Sequence, residues 1–127
     1  MHRRVLIEEE LTRSVINAFF EVYNTLGFGF LEHVYALAME RELEDRGHVV
    51  SRECPVRVIY KGQTLTMQRI DMIVDDKLVI EIKSAYDLHS AAIRQLQSYL
   101  RGTALEVGLL LHFGPKAKFY RQVESRD

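Results

Sequence analysis

Apolar residues recur at helical spacing from residue 8 to about residue 25. Leu11, Val15, Ile16, Phe19, Val22, Tyr23 and Leu26 form one stripe with steps of three and four. Glu8, Glu9 and Glu10 stand in the first turn, where the helix dipole favours anions. Gly27-Phe28-Gly29 ends the pattern, because glycine accepts the backbone angles that close a helix. A second amphipathic pattern predicts a helix from about Phe30 to Arg46, with Leu31, Val34, Tyr35, Ala38, Met39 and Leu43 as its stripe. His33, Arg41, Glu44 and Asp45 make its solvated side. Glu32 stands apart from them, on the edge shared by Tyr35, Met39 and Leu43.

The period then changes. Residues 48–60 read as a strand in which Pro55 argues for an edge position or a bulge. Lys61-Gly62-Gln63 is a turn. Thr64 to Val74 and Leu78 to Lys83 read as two further strands. Asp87 to Ser90 offers caps for a helix over Ser90–Arg101 that stops at Gly102. Leu105 to Phe113 is nearly all apolar, as in a strand covered on both faces. Gly114-Pro115 turns the chain into a last edge strand, Lys116 to Val123. The order helix, helix, three strands, helix, two strands predicts an α/β (α+β) fold, a mixed sheet with helices packed on it.

Composition narrows the class. The 127 residues suit one domain, 47% apolar and 28% charged, with no repeat or linker. The net charge of −1 gives no global field, so a nucleic-acid contact must use a local patch. The one cysteine, Cys54, cannot form an internal disulfide and reads as a small half-buried strand residue. The start Met1-His2-Arg3-Arg4-Val5-Leu6-Ile7 lacks the run of about 7–15 apolar residues that an export signal needs. No stretch approaches the roughly 20 residues of a membrane span. The expectation is a cytoplasmic protein without a membrane partner.

The chemistry concentrates in Arg69–Lys83. Asp71, Glu81 and Lys83 interrupt otherwise apolar strands. Glu81 and Lys83 share a face with Val79, and Leu78, Ile80 and Ile82 take the other. Asp71 faces Glu81 across an antiparallel ladder if Val74 pairs with Leu78, leaving the odd-length loop Asp75-Asp76-Lys77. A two-residue loop would put the acids on opposite faces unless a bulge restored the parity. Facing carboxylates repel unless a cation lies between them. Magnesium suits such a pair, with the Ile82 carbonyl as a further oxygen ligand and Lys83 placed to handle a water or stabilise phosphoryl charge. The same three charges on a sheet face are also what an ordinary ion-paired surface presents.

Further motifs decide between these readings by resemblance. The run Gly29-Phe30-Leu31-Glu32-His33-Val34-Tyr35, then Arg69-Ile70-Asp71, Glu81-Ile82-Lys83, Gln95-Leu96-Gln97-Ser98-Tyr99-Leu100 and Leu110-Leu111-His112-Phe113-Gly114 resemble, in order, the motifs of the GxxExxY protein family within the PD-(D/E)XK nuclease superfamily. The resemblance spans about residues 10–123. It implies a restriction-endonuclease-like αβββαβ core, with the first helix and last strand as additions. It implies Asp71 and Glu81 as metal ligands, Lys83 as the catalytic lysine and Glu32 as a helix acid holding the metal. It also implies Gln95 and Tyr99 lining the site near the lysine, as in the RecB-type exonuclease branch. Ile70 replaces the proline of the superfamily name, and His112 stands where similar sequences often carry asparagine. His112 and His89 read as core or surface histidines, and no zinc spacing is present.

The resulting expectation is a Mg2+- or Mn2+-dependent nuclease acting on DNA, or on RNA. Its counterpart is a nuclease-fold module that binds nucleic acid or a protein without turnover. Arg52, Arg57, Lys61, Arg69, Arg94, Arg101, Lys116 and Lys118 are the candidate basic contacts. A homodimer through the last strand or first helix is the third reading.

Overall fold

The computed structural model describes residues 7–125; the basic start of the chain, Met1–Leu6, lies outside them. Helices α1 (Glu9–Leu26) and α2 (Glu32–Asp45) precede the meander β1 (Val50–Tyr60), β2 (Gln63–Val74) and β3 (Leu78–Ser84). Helix α3 (Ala91–Gly102) then leads to β4 (Val107–Phe113) and β5 (Ala117–Val123). The sheet order is β1-β2-β3-β4-β5, so the strand expected at an edge by its proline is an edge, and so is the last strand. Only β3 and β4 are parallel, joined through α3; the other neighbours are antiparallel. Among the described residues no helix is long and apolar enough to cross a membrane.

The sheet is covered on both faces. On one, Val15, Phe19, Tyr35, Met39 and Leu43 of α1 and α2 pack on Met72, Ile80, Ile82, Leu109 and Leu111. Tyr35 stacks on Phe113 at 3.9 Å between ring centroids, and Phe19 meets the same ring edge-on at 4.9 Å. Such pairs add about 0.5–1.5 kcal/mol each beyond area burial. On the other face Leu96, Tyr99 and Leu100 of α3 pack on Val56, Ile70, Val79 and Leu110. Close approach of α3 depends on Gly108, where a Cβ would stand 2.7 Å from Leu96 Cδ1. Strand β3 is therefore buried on both sides, and every side chain from Leu78 to Ile82 is inside.

Two expectations need correction. Leu31 is 71% exposed because α2 starts at Glu32, which puts Leu31 at the N-cap outside the stripe. Ala36, which the periodic reading leaves out, is buried beside Tyr35. Ser90 makes no side-chain cap on α3; the ring nitrogen Nδ1 of His89 accepts the Ala91 N–H at 3.1 Å instead.

One contact outside the core fixes how α1 meets the meander. His48 Nδ1 lies 2.7 Å from Asp75 Oδ2, and His48 Nε2 lies 2.7 Å from Ser14 Oγ. Asp75 Oδ1 also accepts the Val49 N–H at 2.8 Å. A carboxylate only accepts, so Nδ1 donates to Asp75, and Nε2 shares the second hydrogen bond with the Ser14 hydroxyl. The chain from α1 through His48 thus ends on the turn between β2 and β3.

Candidate metal and phosphodiester site

The turn has the odd length that a shared acid site requires. Val74 pairs with Leu78, Ile73 with Val79 and Met72 with Ile80. Asp75 and Asp76 both take left-handed backbone angles, and the Lys77 N–H closes the turn on the Val74 carbonyl at 3.0 Å. Beyond Met72 and Ile80 the ladder stops, and the acids take over its hydrogen bonds. The Asp71 N–H donates to Glu81 Oε1 at 3.0 Å, and the Ile82 N–H donates to Asp71 Oδ2 at 2.7 Å. Each acid spends one oxygen on the other strand's backbone. The remaining oxygens, Asp71 Oδ1 and Glu81 Oε2, accept no hydrogen bond among the described residues.

Strand alternation breaks at the same place. Met72 packs under α1 and α2, whereas Ile70, two residues away, packs under α3. Opposite this break, Glu53 has φ of 53° and lies between the paired residues Arg52–Met72 and Cys54–Ile70. The strand is thus re-aimed where its acid must point at a neighbour, a recurring use of backbone irregularity.

Electrostatics follow from burial. Glu81 is buried, and desolvation first, then the charge of Asp71, pushes its carboxyl up to about 8 against the pull of the Asp71 N–H and Lys83. Asp71 is half-buried and also raised, chiefly by desolvation, against the Ile82 N–H, Lys83 and Arg52. Lys83 Nζ stands 3.5 Å from Gln95 Oε1. Tyr99 is pushed up to about 12 by burial and by the two acids, and its hydroxyl donates to the Arg69 carbonyl at 3.1 Å. It therefore braces the backbone just before Asp71. Glu32, in the first turn of α2, reaches the Ser84 N–H with Oε2 at 3.4 Å.

The structure thus brings Asp71, Glu81, Ile82, Lys83 and Gln95 together, with Tyr99 behind them and Glu32 at the rim. Among the described residues no three His, Cys, Asp or Glu side chains group closely enough to hold an ion, so Glu32 does not complete a three-acid group with Asp71 and Glu81. Two carboxylates with free oxygens still form an all-oxygen donor set of the kind magnesium accepts alongside water. His112 is buried, and its Nε2 donates to the Ala85 carbonyl at 2.8 Å; like His89, it has a structural partner. Cys54 is a half-buried strand residue whose thiol is raised by burial.

Two clefts flank the acids. One, about 240 Å³, is lined by Glu32, His33, Arg52, Arg69 and Asp71. The other, about 580 Å³, is lined by Gln68, Lys83, His89, Arg94 and Gln95. Another depression, about 720 Å³ between α1 and α2, touches none of the candidate residues. Sequence reading missed Ser84, whose hydroxyl donates to the Phe30 carbonyl while its N–H meets Glu32, so that it ties the α2 loop to the end of β3. Its position directly after Lys83 was the one available signal.

Comparison with known proteins identifies the family and the fold. The family model described as the PD-(D/E)XK nuclease superfamily matches residues 9–123. No curated protein matches. The crystal structure of SSO0001 is similar with a TM-score of 0.56 and 23% identity, over 98% of this chain and 63% of that one. An alkaline exonuclease from Laribacter hongkongensis, LHK-Exo, is similar with a TM-score of 0.54 and 16% identity, over 73% of this chain and 55% of that one. The chain thus spans less than two thirds of either neighbour, and at these identities the likeness is one of fold. Because the family model covers nearly the whole described chain, the chain belongs to the PD-(D/E)XK nuclease superfamily.

Proposed function

We propose that the chain is a Mg2+- or Mn2+-dependent nuclease that hydrolyses phosphodiester bonds of DNA. The observation that carries this reading is the crossed pair at the end of the β2–β3 ladder. Two acids, one of them buried, give one oxygen each to the opposite backbone and keep the other oxygen open. In this reading Asp71, Glu81 and the Ile82 carbonyl would hold the metal, with Glu32 as the helix acid beside them. A divalent ion held there supplies Lewis-acid stabilisation of the phosphoryl oxygens. Lys83 presents its ammonium to the attacking water and the scissile phosphate, and Gln95 fixes its direction. Tyr99 positions Asp71 through the Arg69 carbonyl.

Within the superfamily we place the chain in the GxxExxY family. Its name-giving residues have a physical basis here. Gly29 takes φ of 119°, which a side chain would strain. The Tyr35 hydroxyl donates to the Gly27 carbonyl and accepts the Phe30 N–H at 3.3 Å. Together they hold the loop that presents Glu32 to Ser84.

A cleavage assay with Mg2+ and Mn2+ over single- and double-stranded DNA and RNA tests the function. Asp71→Ala and Lys83→Ala should each lose at least about a hundredfold in rate, the scale of a positioned acid–base or electrostatic group. Unchanged cleavage in both variants would overturn the assignment. The two-acid cluster favours one alternative, a binding module without turnover; calorimetry showing no millimolar Mg2+ or Mn2+ uptake would support it instead.

A further inference from the structure

Strands β1 and β2 continue well past the rest of the sheet. Strand β3 pairs with β2 only along Met72–Val74, and the last buried residues of the pair are Val56 and Ile70. Beyond them, β1 and β2 stay paired through Arg57–Met67, Val58–Thr66, Ile59–Thr64 and Tyr60–Gln63. This arm is exposed almost throughout: Tyr60 is 59% exposed, Leu65 67% and Met67 51%. From Met67 to Gln63 it reaches about 13 Å at the rise of a strand. A lone two-stranded hairpin gains little stability from itself, so its persistence points to something it touches.

Its chemistry is one-sided. From Cys54 to Ile70 there is no Asp or Glu, while Arg57, Lys61 and Arg69 are cationic, in a chain of net charge −1; Arg69 pairs with Glu53, just before this stretch, at 3.1 Å. Arg57 makes no ion pair among the described residues, and Lys61 Nζ lies 5.3 Å over the Tyr60 ring. The arm is continuous with the acid pair, since Asp71 stands at its base and Gln68 lines the cleft of Lys83.

We infer that the arm is a β-ribbon that enters the major groove of duplex DNA and seats its backbone over the Asp71–Glu81 pair. That the gripped duplex is a substrate rests on the nuclease reading above; grip by the arm does not. A B-form major groove about 12 Å wide admits a two-stranded ribbon, whereas that of A-form RNA is too narrow to read. Single strands are held by stacking on aromatic rings, and the arm exposes only Tyr60, whose face Lys61 covers. Strand pairing with a second copy is opposed along this edge by Pro55 and by the bulge between Val58 and Ile59.

Fluorescence polarisation in EDTA, over a salt series, separates grip from cleavage. The probes are a labelled DNA duplex, its single strand and a matching RNA duplex. The double variant Arg57→Ala, Lys61→Asn removes two cations and keeps a residue that tolerates the left-handed turn. The DNA duplex should bind best. The variant should bind it about tenfold more weakly, with the log–log salt slope reduced by about 1.8. An unchanged slope, a preference for the single strand or RNA duplex, or a wild-type dimer that the variant turns into monomer in sedimentation would each overturn the inference. Grip as expected without cleavage in Mg2+ or Mn2+ would leave the arm in place and remove the nuclease reading. Cleavage with an unaltered slope would do the reverse.

Discussion

Glu81 should make the metal-free protein lose stability as the pH rises from 5 to 8. Its carboxyl is raised from 4.5 to about 8 by burial and by Asp71. Between those values the folded state holds a proton that the unfolded state has released, so the contribution is complete below 4.5 and is lost as the pH climbs through 8. At 1.36 kcal/mol per tenfold change in proton affinity, the full span is worth up to about 5 kcal/mol. Glu81→Gln keeps the shape, keeps an acceptor for the Asp71 N–H and does not titrate. Urea unfolding in EDTA at a series of pH values from 4.5 to 9 measures the difference. The wild type should fall by several kcal/mol across that range, and the variant should stay nearly level and exceed it by the end. Parallel curves for the two proteins would refute the idea that a desolvated, paired carboxyl sits at this position. Saturating Mg2+ should flatten the wild-type curve but not change that of the variant, because the ionised acid would then have a partner.

Three other perturbations test the frame around the site. Gly108→Val should cost about 1–3 kcal/mol by thermal unfolding, since its first carbon already stands 2.7 Å from Leu96 Cδ1. Tyr35→Phe removes the hydroxyl shared by the Gly27 carbonyl and the Phe30 N–H; it should cost about 1–2 kcal/mol and raise amide exchange in residues 27–31. Asp75 is held below its ordinary value: partial burial raises it, but the Val49 N–H and His48 outweigh that. The stability it contributes is therefore present above the ordinary carboxylate range and lost as the pH falls through its folded value. Asp75→Asn should abolish that acid-side loss in a pH series of unfolding curves.

Periodicity read most of the frame, because each element carries its own pattern. The strand edges fell within two residues of expectation, and the odd turn was legible because a pairing of Val74 with Leu78 is the only simple one that puts Asp71 opposite Glu81. Glu32 is exposed although the periodicity set it off the solvated side of α2; it reaches the Ser84 N–H from there. What stayed hidden depends on two segments at once. Leu31 looks like stripe from its own helix and is exposed because the chain enters α2 from the Gly27–Gly29 loop. The move of Ile70 to the α3 side depends on the left-handed Glu53 of the neighbouring strand. The depth of Glu81 reflects α3 covering a face that alternation alone leaves undecided. The Ser14–His48–Asp75 chain joins residues far apart in sequence, none of which is unusual in its own surroundings.

That chain has a consequence for how the protein can change length. Asp75 is held from outside the hairpin by His48 and the Val49 N–H, so the near end of the turn is anchored whatever the length of the tip. Strand β2 keeps its register on β1, and β3 keeps its register on β4, so residues added at Asp76 would lengthen the loop without changing which residues pair, and Asp71 would still face Glu81. Insertions at this tip should therefore be tolerated whatever their number. Metal uptake measured by calorimetry on one-, two- and three-residue insertions should stay level, and a loss that alternates with length would show that the tip sets the register.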